Sequence, residues 1–99
     1  MDKLALRNMN NLKKIVRKVM CADDFTDIRN YTRAMCDARK MFCYVASAYL
    51  PKETVKEYLG CSQTSIYRYV NGGQILVAHY VPYRRKYEMI IKKFEYNYE

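Results

Sequence analysis

The sequence predicts an all-α fold: a small helical bundle of about five or six helices, one domain over residues 1–99, built around a helix-turn-helix. Three observations lead there. Apolar residues recur at helical spacing in separate stretches, the mark of helices with one buried face. Pro51 and Gly60 stand where a short helix would start and stop. Half of the residues are apolar and 14% aromatic, enough for one modest core, with no internal repeat, low-complexity linker or domain boundary.

Residues 3–20 place Leu4, Met9, Leu12, Ile15, Val16 and Val19 three to five positions apart, so a helix with one apolar stripe is expected. Lys13, Lys14, Arg17 and Lys18 lie mostly off that stripe and gather in the last turns, where they suit the negative end of the helix dipole. The next stretch, 22–28, offers cap residues in Asp23 and Asp24 and apolar anchors in Phe25 and Ile28, which fits a loop or a short helical turn. Residues 33–49 form the second strong helix, with Met35, Phe42, Val45, Ala46 and Tyr49 facing inward while Arg33, Arg39 and Lys40 need not.

Pro51 ends that helix and suits the first turn of the next, where Val55, Tyr58 and Leu59 mark one buried face. Gly60 supplies the left-handed residue that stops it. The last helix is expected from Pro82 to about Tyr96, with Tyr83, Tyr87, Ile90, Ile91 and Phe94 on one side and Arg84, Arg85, Lys86, Lys92 and Lys93 on the rest.

The stretch between, Gly60 to Gly73, admits two readings. Asn71-Gly72 between runs rich in Ile, Val and Tyr resembles a β-hairpin turn. The same letters read as a helix capped by Ser62 and closed by Asn71-Gly72-Gly73. A lone hairpin is marginal without a covering element, and as a strand the segment would deprive Val55, Leu59 and Gly60 of their partner. The helix over 62–70 is therefore expected, with 74–80 a short helix or an extended link. Counted from Gly60, a steep helix pair needs apolar residues five before, one before, one after, six after and nine after; Val55, Leu59, Cys61, Ile66 and Tyr69 fill those places. Lys56 occupies a point of close approach and must turn outward or hold the helices apart.

Charge narrows the function. Eighteen Lys and Arg against ten Asp and Glu give a net charge of +8, which points to a polyanionic partner. No apolar run approaches the roughly 18 residues of a membrane span, and the first residues lack the unbroken apolar core of a signal peptide, so a cytoplasmic location is expected. Cys21, Cys36, Cys43 and Cys61 show no C-x-x-C pair, and with one histidine, His79, they are expected to be reduced core thiols rather than zinc ligands. No metal or cofactor is expected, and neither a nucleophile elbow nor a glycine-rich phosphate loop supports an enzyme.

On the expected second helix of the pair, Ile66, Tyr69 and Val70 turn inward while Gln63 with Tyr67, and Thr64 with Arg68, form i, i+4 pairs outside. Gln suits adenine, Arg suits guanine and Thr can touch a thymine methyl, so Gln63, Thr64, Tyr67 and Arg68 are the expected base contacts. Ser62, Ser65, Lys52, Arg33, Arg39 and Lys40 are the expected phosphate contacts.

Two resemblances follow from these residues. A basic first helix, R-x-x-x-x-A-R-K at Arg33 to Lys40, a long apolar helix with Tyr44, the helix-turn-helix and a charged last helix together resemble the C-terminal DNA-binding domain of the bacterial replication initiator DnaA. In that family the stretch Asp-His-Thr-Thr reads the origin repeat, and Ser62-Gln63-Thr64-Ser65 stands in the matching place, with one residue of the turn missing. Locally, Gly60 to Val70 is similar to the helix-turn-helix of serine recombinases and small regulators. Both resemblances imply binding to double-stranded DNA, in transcription regulation or replication, and neither fixes a target. The competing expectation is a protein-interaction module, or a homodimer, built on the Tyr-rich C-terminal helix, with Tyr80, Tyr83, Tyr96 and Tyr98 exposed.

Overall fold

The computed structural model describes residues 1–26 and 32–98, and Ile28 lies outside the described residues. Five helices follow one another: α1 (Lys3–Met20), α2 (Arg33–Tyr49), α3 (Lys52–Leu59), α4 (Gln63–His79) and α5 (Val81–Asn97). Among the described residues there is no strand, so the hairpin reading of Asn71-Gly72 falls away.

α2 is the central helix, packed against each of the other four. That position explains its composition: Met35, Ala38, Met41, Phe42, Cys43, Val45 and Ala46 are buried around most of its circumference. α1 presents Met9, Leu12 and Val16 to the core, as its stripe predicts, with Ile15 and Val19 packed at the edge. Leu4 departs from the expectation. It is exposed because at about 100° per residue it lies roughly 80–140° around the helix from Leu12, Val16 and Met9, and Ala5 takes the inward place in that turn. α5 seals the bundle with Ile90 and Phe94, flanked by Tyr83, Tyr87 and Ile91.

The helix ends follow local chemistry. Asp2 accepts a hydrogen bond from the Ala5 N–H at 2.7 Å, and Thr32 caps α2 by accepting from the Met35 N–H. α1 ends on Cys21 in the left-handed region at φ 52°, a conformation unusual for a residue with a side chain. Between α4 and α5 the chain turns at Tyr80 alone, and Arg84 reaches back to donate to the Val77 and Ala78 carbonyls. A cation there closes the negative end of α4.

The principal correction concerns α4. It does not stop at Asn71-Gly72-Gly73 but runs straight through to His79, so residues 74–79 are its last turns and no separate element. The glycines serve packing. A methyl group on Gly73 would lie 2.5 Å from the Lys40 carbonyl oxygen and 2.7 Å from Tyr44 Cβ; on Gly72 it would meet the Lys40 side chain at 2.9 Å. The pair forms the notch through which α2 and α4 approach, and that contact outweighs the roughly 1 kcal/mol by which each glycine disfavours a helix.

The cysteines also differ from expectation. All four are free, but only Cys43 is buried; Cys36 and Cys61 are half-buried and Cys21 is exposed at the α1 cap. Burial pushes the Cys43 thiol well above its ordinary range, so it behaves as a small hydrophobe.

Candidate nucleic-acid interface

The helix pair predicted from the spacing around Gly60 is present. α3 ends at Gly60 (φ 66°), whose N–H donates to the Lys56 carbonyl at 2.8 Å. Only Cys61 separates it from Ser62, which caps α4 by accepting from the Ser65 N–H at 3.1 Å. Val55, Leu59 and Ile66 are buried between the helices, with Cys61, Tyr69 and Val70 at the margin. Lys56 is exposed, so it turns outward and leaves the crossing to the apolar residues.

The opposite side of α4 is open. Gln63, Thr64, Tyr67 and Arg68 are all exposed and span roughly 140° of the helix at 100° per residue. Gln63 Nε2 donates to the Tyr67 hydroxyl at 3.4 Å, and Lys52 Nζ sits 4.0 Å from the centre of the Tyr67 ring, a cation–π contact that ties α3 to this face. Ser62 and Ser65 bond one another at 3.0 Å beside it. Because α4 continues past the glycines, Asn71 and Gln74 extend the same exposed surface along a helix about 25 Å long. Sequence reasoning missed these two amides because it ended the helix at Asn71. The signal was available: Ile66, Tyr69, Val70 and Val77 keep helical spacing across the glycines.

The three cations expected from α2 do not join this face. Arg39 is fully buried and donates through Nε to the Phe25 carbonyl at 2.6 Å, so it fastens the loop after α1 and is no surface phosphate contact. A guanidinium can be buried there because a backbone carbonyl meets it. Lys40 lays its methylenes over Gly72 and places its ammonium 3.9 Å from Asp37, at the middle of α4. Arg33 lies at the start of α2, where its charge acts on Tyr83, toward the far end of α4 from Ser62. Ser62, Ser65 and Lys52 are the expected phosphate residues gathered at the start of α4.

Charge is distributed unevenly. α1 holds six basic residues and no acidic one, and α5 holds five against Glu88 and Glu95. These two helices therefore carry +9, and the remainder of the chain −1. Asn97, near the end of α5, shares a hollow with Asn8 and Asn11 in the first half of α1; Lys92 and Lys93 share another with Lys14 and Lys18 in its second half. The helices thus run antiparallel, and the groove between them has a volume of about 580 Å³, lined also by Ile15 and Tyr96. A second hollow of about 540 Å³ adjoins it across α1, sharing Lys14 and Lys18 and adding Lys13 and Arg17. Nearby, Asp24 pairs with Lys13 at 3.0 Å; chiefly the Thr26 hydroxyl, with Lys13, holds its carboxyl at about 2.

The C-terminal tyrosines divide. Tyr96 and Tyr80 are exposed and Tyr98 is marginally so, but Tyr83 is half-buried and donates to Asp37 at 2.7 Å, which corrects its expected exposure. A phenol beside a carboxylate of the central helix turns inward because that bond satisfies both groups. Among the described residues no group of three His, Cys, Asp or Glu is placed to hold a metal ion, and no helix is long and apolar enough to cross a membrane. Comparison with protein-family models, curated proteins and solved structures finds no match to this chain.

Proposed function

We propose that this protein binds duplex DNA through the first half of α4, with a role in transcription regulation or replication. One observation carries the reading: Gln63, Thr64, Tyr67 and Arg68 stand exposed together on a helix whose other side is fixed against α2 and α3. A helix held this way enters a major groove, where amide, hydroxyl and guanidinium groups meet base edges. Lys52, Ser62 and Ser65 would then meet the flanking phosphates, and Asn71 and Gln74 would lengthen the reading edge. Mobility-shift titrations on mixed duplexes at falling salt test this. Arg68→Ala and Gln63→Ala should each reduce discrimination between sequences by about 1–3 kcal/mol. Unchanged discrimination in both variants would overturn it.

The protein-interaction reading keeps one supporting observation. Ile75 near the end of α4, Tyr80 and Val81 at its junction with α5, and Met89 midway along α5 are each at least half exposed. Apolar side chains so placed favour a protein partner or a second copy of the chain. Sedimentation of the wild type against Ile75→Asp distinguishes this reading, which requires self-association or partner binding that the variant loses.

A further inference from the structure

We infer that the groove between α1 and α5 is a binding site for single-stranded nucleic acid, separate from the α4 face. Lys14 and Lys18 stand one helical turn apart on α1, opposite Lys92 and Lys93 on α5, and all four are exposed. Among the described residues no carboxylate lines the groove. Glu95, the nearest acid on α5 in sequence, is turned to the other side by accepting from the Tyr49 hydroxyl at 2.7 Å. The cleft is walled by two packed helices, whose axes lie roughly 8–10 Å apart. An exposed aromatic ring at the rim, Tyr96, favours a strand with unpaired bases, because a duplex keeps its bases inside its own stack.

The lining favours a nucleic-acid strand over an acidic peptide. The four lysines are compact charges that meet phosphate and carboxylate alike, so the choice between the two rests on the aromatic rim. Tyr96, 89% exposed at the rim, offers a ring face on which a base can stack. Asn11 and Asn97 add donors and acceptors at one end, and the adjoining hollow carries the basic track across α1 toward Arg17, while Lys13 there is paired with Asp24. The volume of about 580 Å³ lies within the range of ligand sites.

The test is fluorescence anisotropy with labelled oligo-dT and oligo-U of about 12 nucleotides, within the usual site size. Wild-type protein should bind at least one of them at about 50 mM salt, with a log–log salt slope near −3, the value expected for four phosphates on a single strand. The combined variant Lys14→Ala, Lys18→Ala, Lys92→Ala, Lys93→Ala should bind at least about tenfold more weakly and flatten the slope. Tyr96→Ala should weaken binding about fivefold or more. Circular dichroism confirms folding, and the milder pair Lys14→Gln, Lys92→Gln gives the same direction if the fourfold variant is unfolded. Binding to neither oligonucleotide would overturn the proposal. So would a wild-type affinity and slope in the lysine variants, or equal competition by polyglutamate combined with no effect of Tyr96→Ala. Arg68→Ala should leave strand binding unchanged, so failure of the duplex reading and failure of this one are told apart.

Discussion

Helices α3 and α4 together carry three basic and two acidic residues, whereas α1 and α5 carry eleven and two. The first pair is the helix-turn-helix, whose exposed face is made mainly of amides, hydroxyls and one guanidinium. The second pair is a lysine-walled groove. The contrast separates two quantities that a net charge of +8 merges. Hydrogen-bonding groups on a fixed helix discriminate between sequences, while massed lysines supply affinity that ignores sequence and fades with salt. The surplus charge is therefore no support for the α4 face in particular, and the two faces should respond to different perturbations.

The largest effect is expected where α4 meets the core. Gly73→Ala gains about 1 kcal/mol of helix propensity but drives a methyl into the Lys40 backbone, a contact that cannot move aside cheaply. A net loss of about 1–3 kcal/mol is expected by chemical denaturation, with weaker duplex binding and intact oligo-dT binding. Gly72→Ala meets only the flexible Lys40 side chain, so it should be near neutral. Equal effects of the two substitutions would break the argument that Gly73 sets the position of α4.

Next in size come the left-handed helix ends, one in each half of the comparison. Gly60→Ala puts a side chain at φ 66° in the turn that aims α4, and should cost about 1 kcal/mol. Cys21→Gly relieves the same conformation at the end of α1 and should stabilise by a similar amount. Denaturation midpoints read both signs.

A smaller effect is expected at alkaline pH. Burial first, and then its bond to Glu95, raises the Tyr49 hydroxyl to about 12, and the bond to Asp37 with burial raises Tyr83. Each folded-state value lies above the unfolded value of about 10, so the stabilisation is complete below pH 10. It is lost as pH rises through the folded value, for Tyr49 about 12. Both bonds run from α2 to α5, so the bundle should melt earlier between pH about 10 and 12 and Tyr49→Phe should reduce that dependence.

The half of the molecule set by local chemistry was legible in the sequence. α1 and α2 span the residues that their apolar stripes and Pro51 indicate, and the spacing around Gly60 named the residues that now lie between α3 and α4. What escaped depends on contact between distant segments. Asn71-Gly72-Gly73 reads locally as a stop, and only the approach of Lys40 and Tyr44 shows why a helix keeps two glycines. Arg39 reads as a surface cation until the Phe25 carbonyl, fourteen residues away, is seen to hold it inside. The lysines of α1 and α5 were visible singly, but the antiparallel packing that makes one groove of them was not.

The most direct test of two independent faces is native mass spectrometry of the protein with a duplex selected for α4 binding and an oligo-dT strand present together. The account predicts a complex of one protein, one duplex and one strand, with each affinity unchanged by the other ligand. Strict competition, with only binary complexes at saturating concentrations of both, would contradict it.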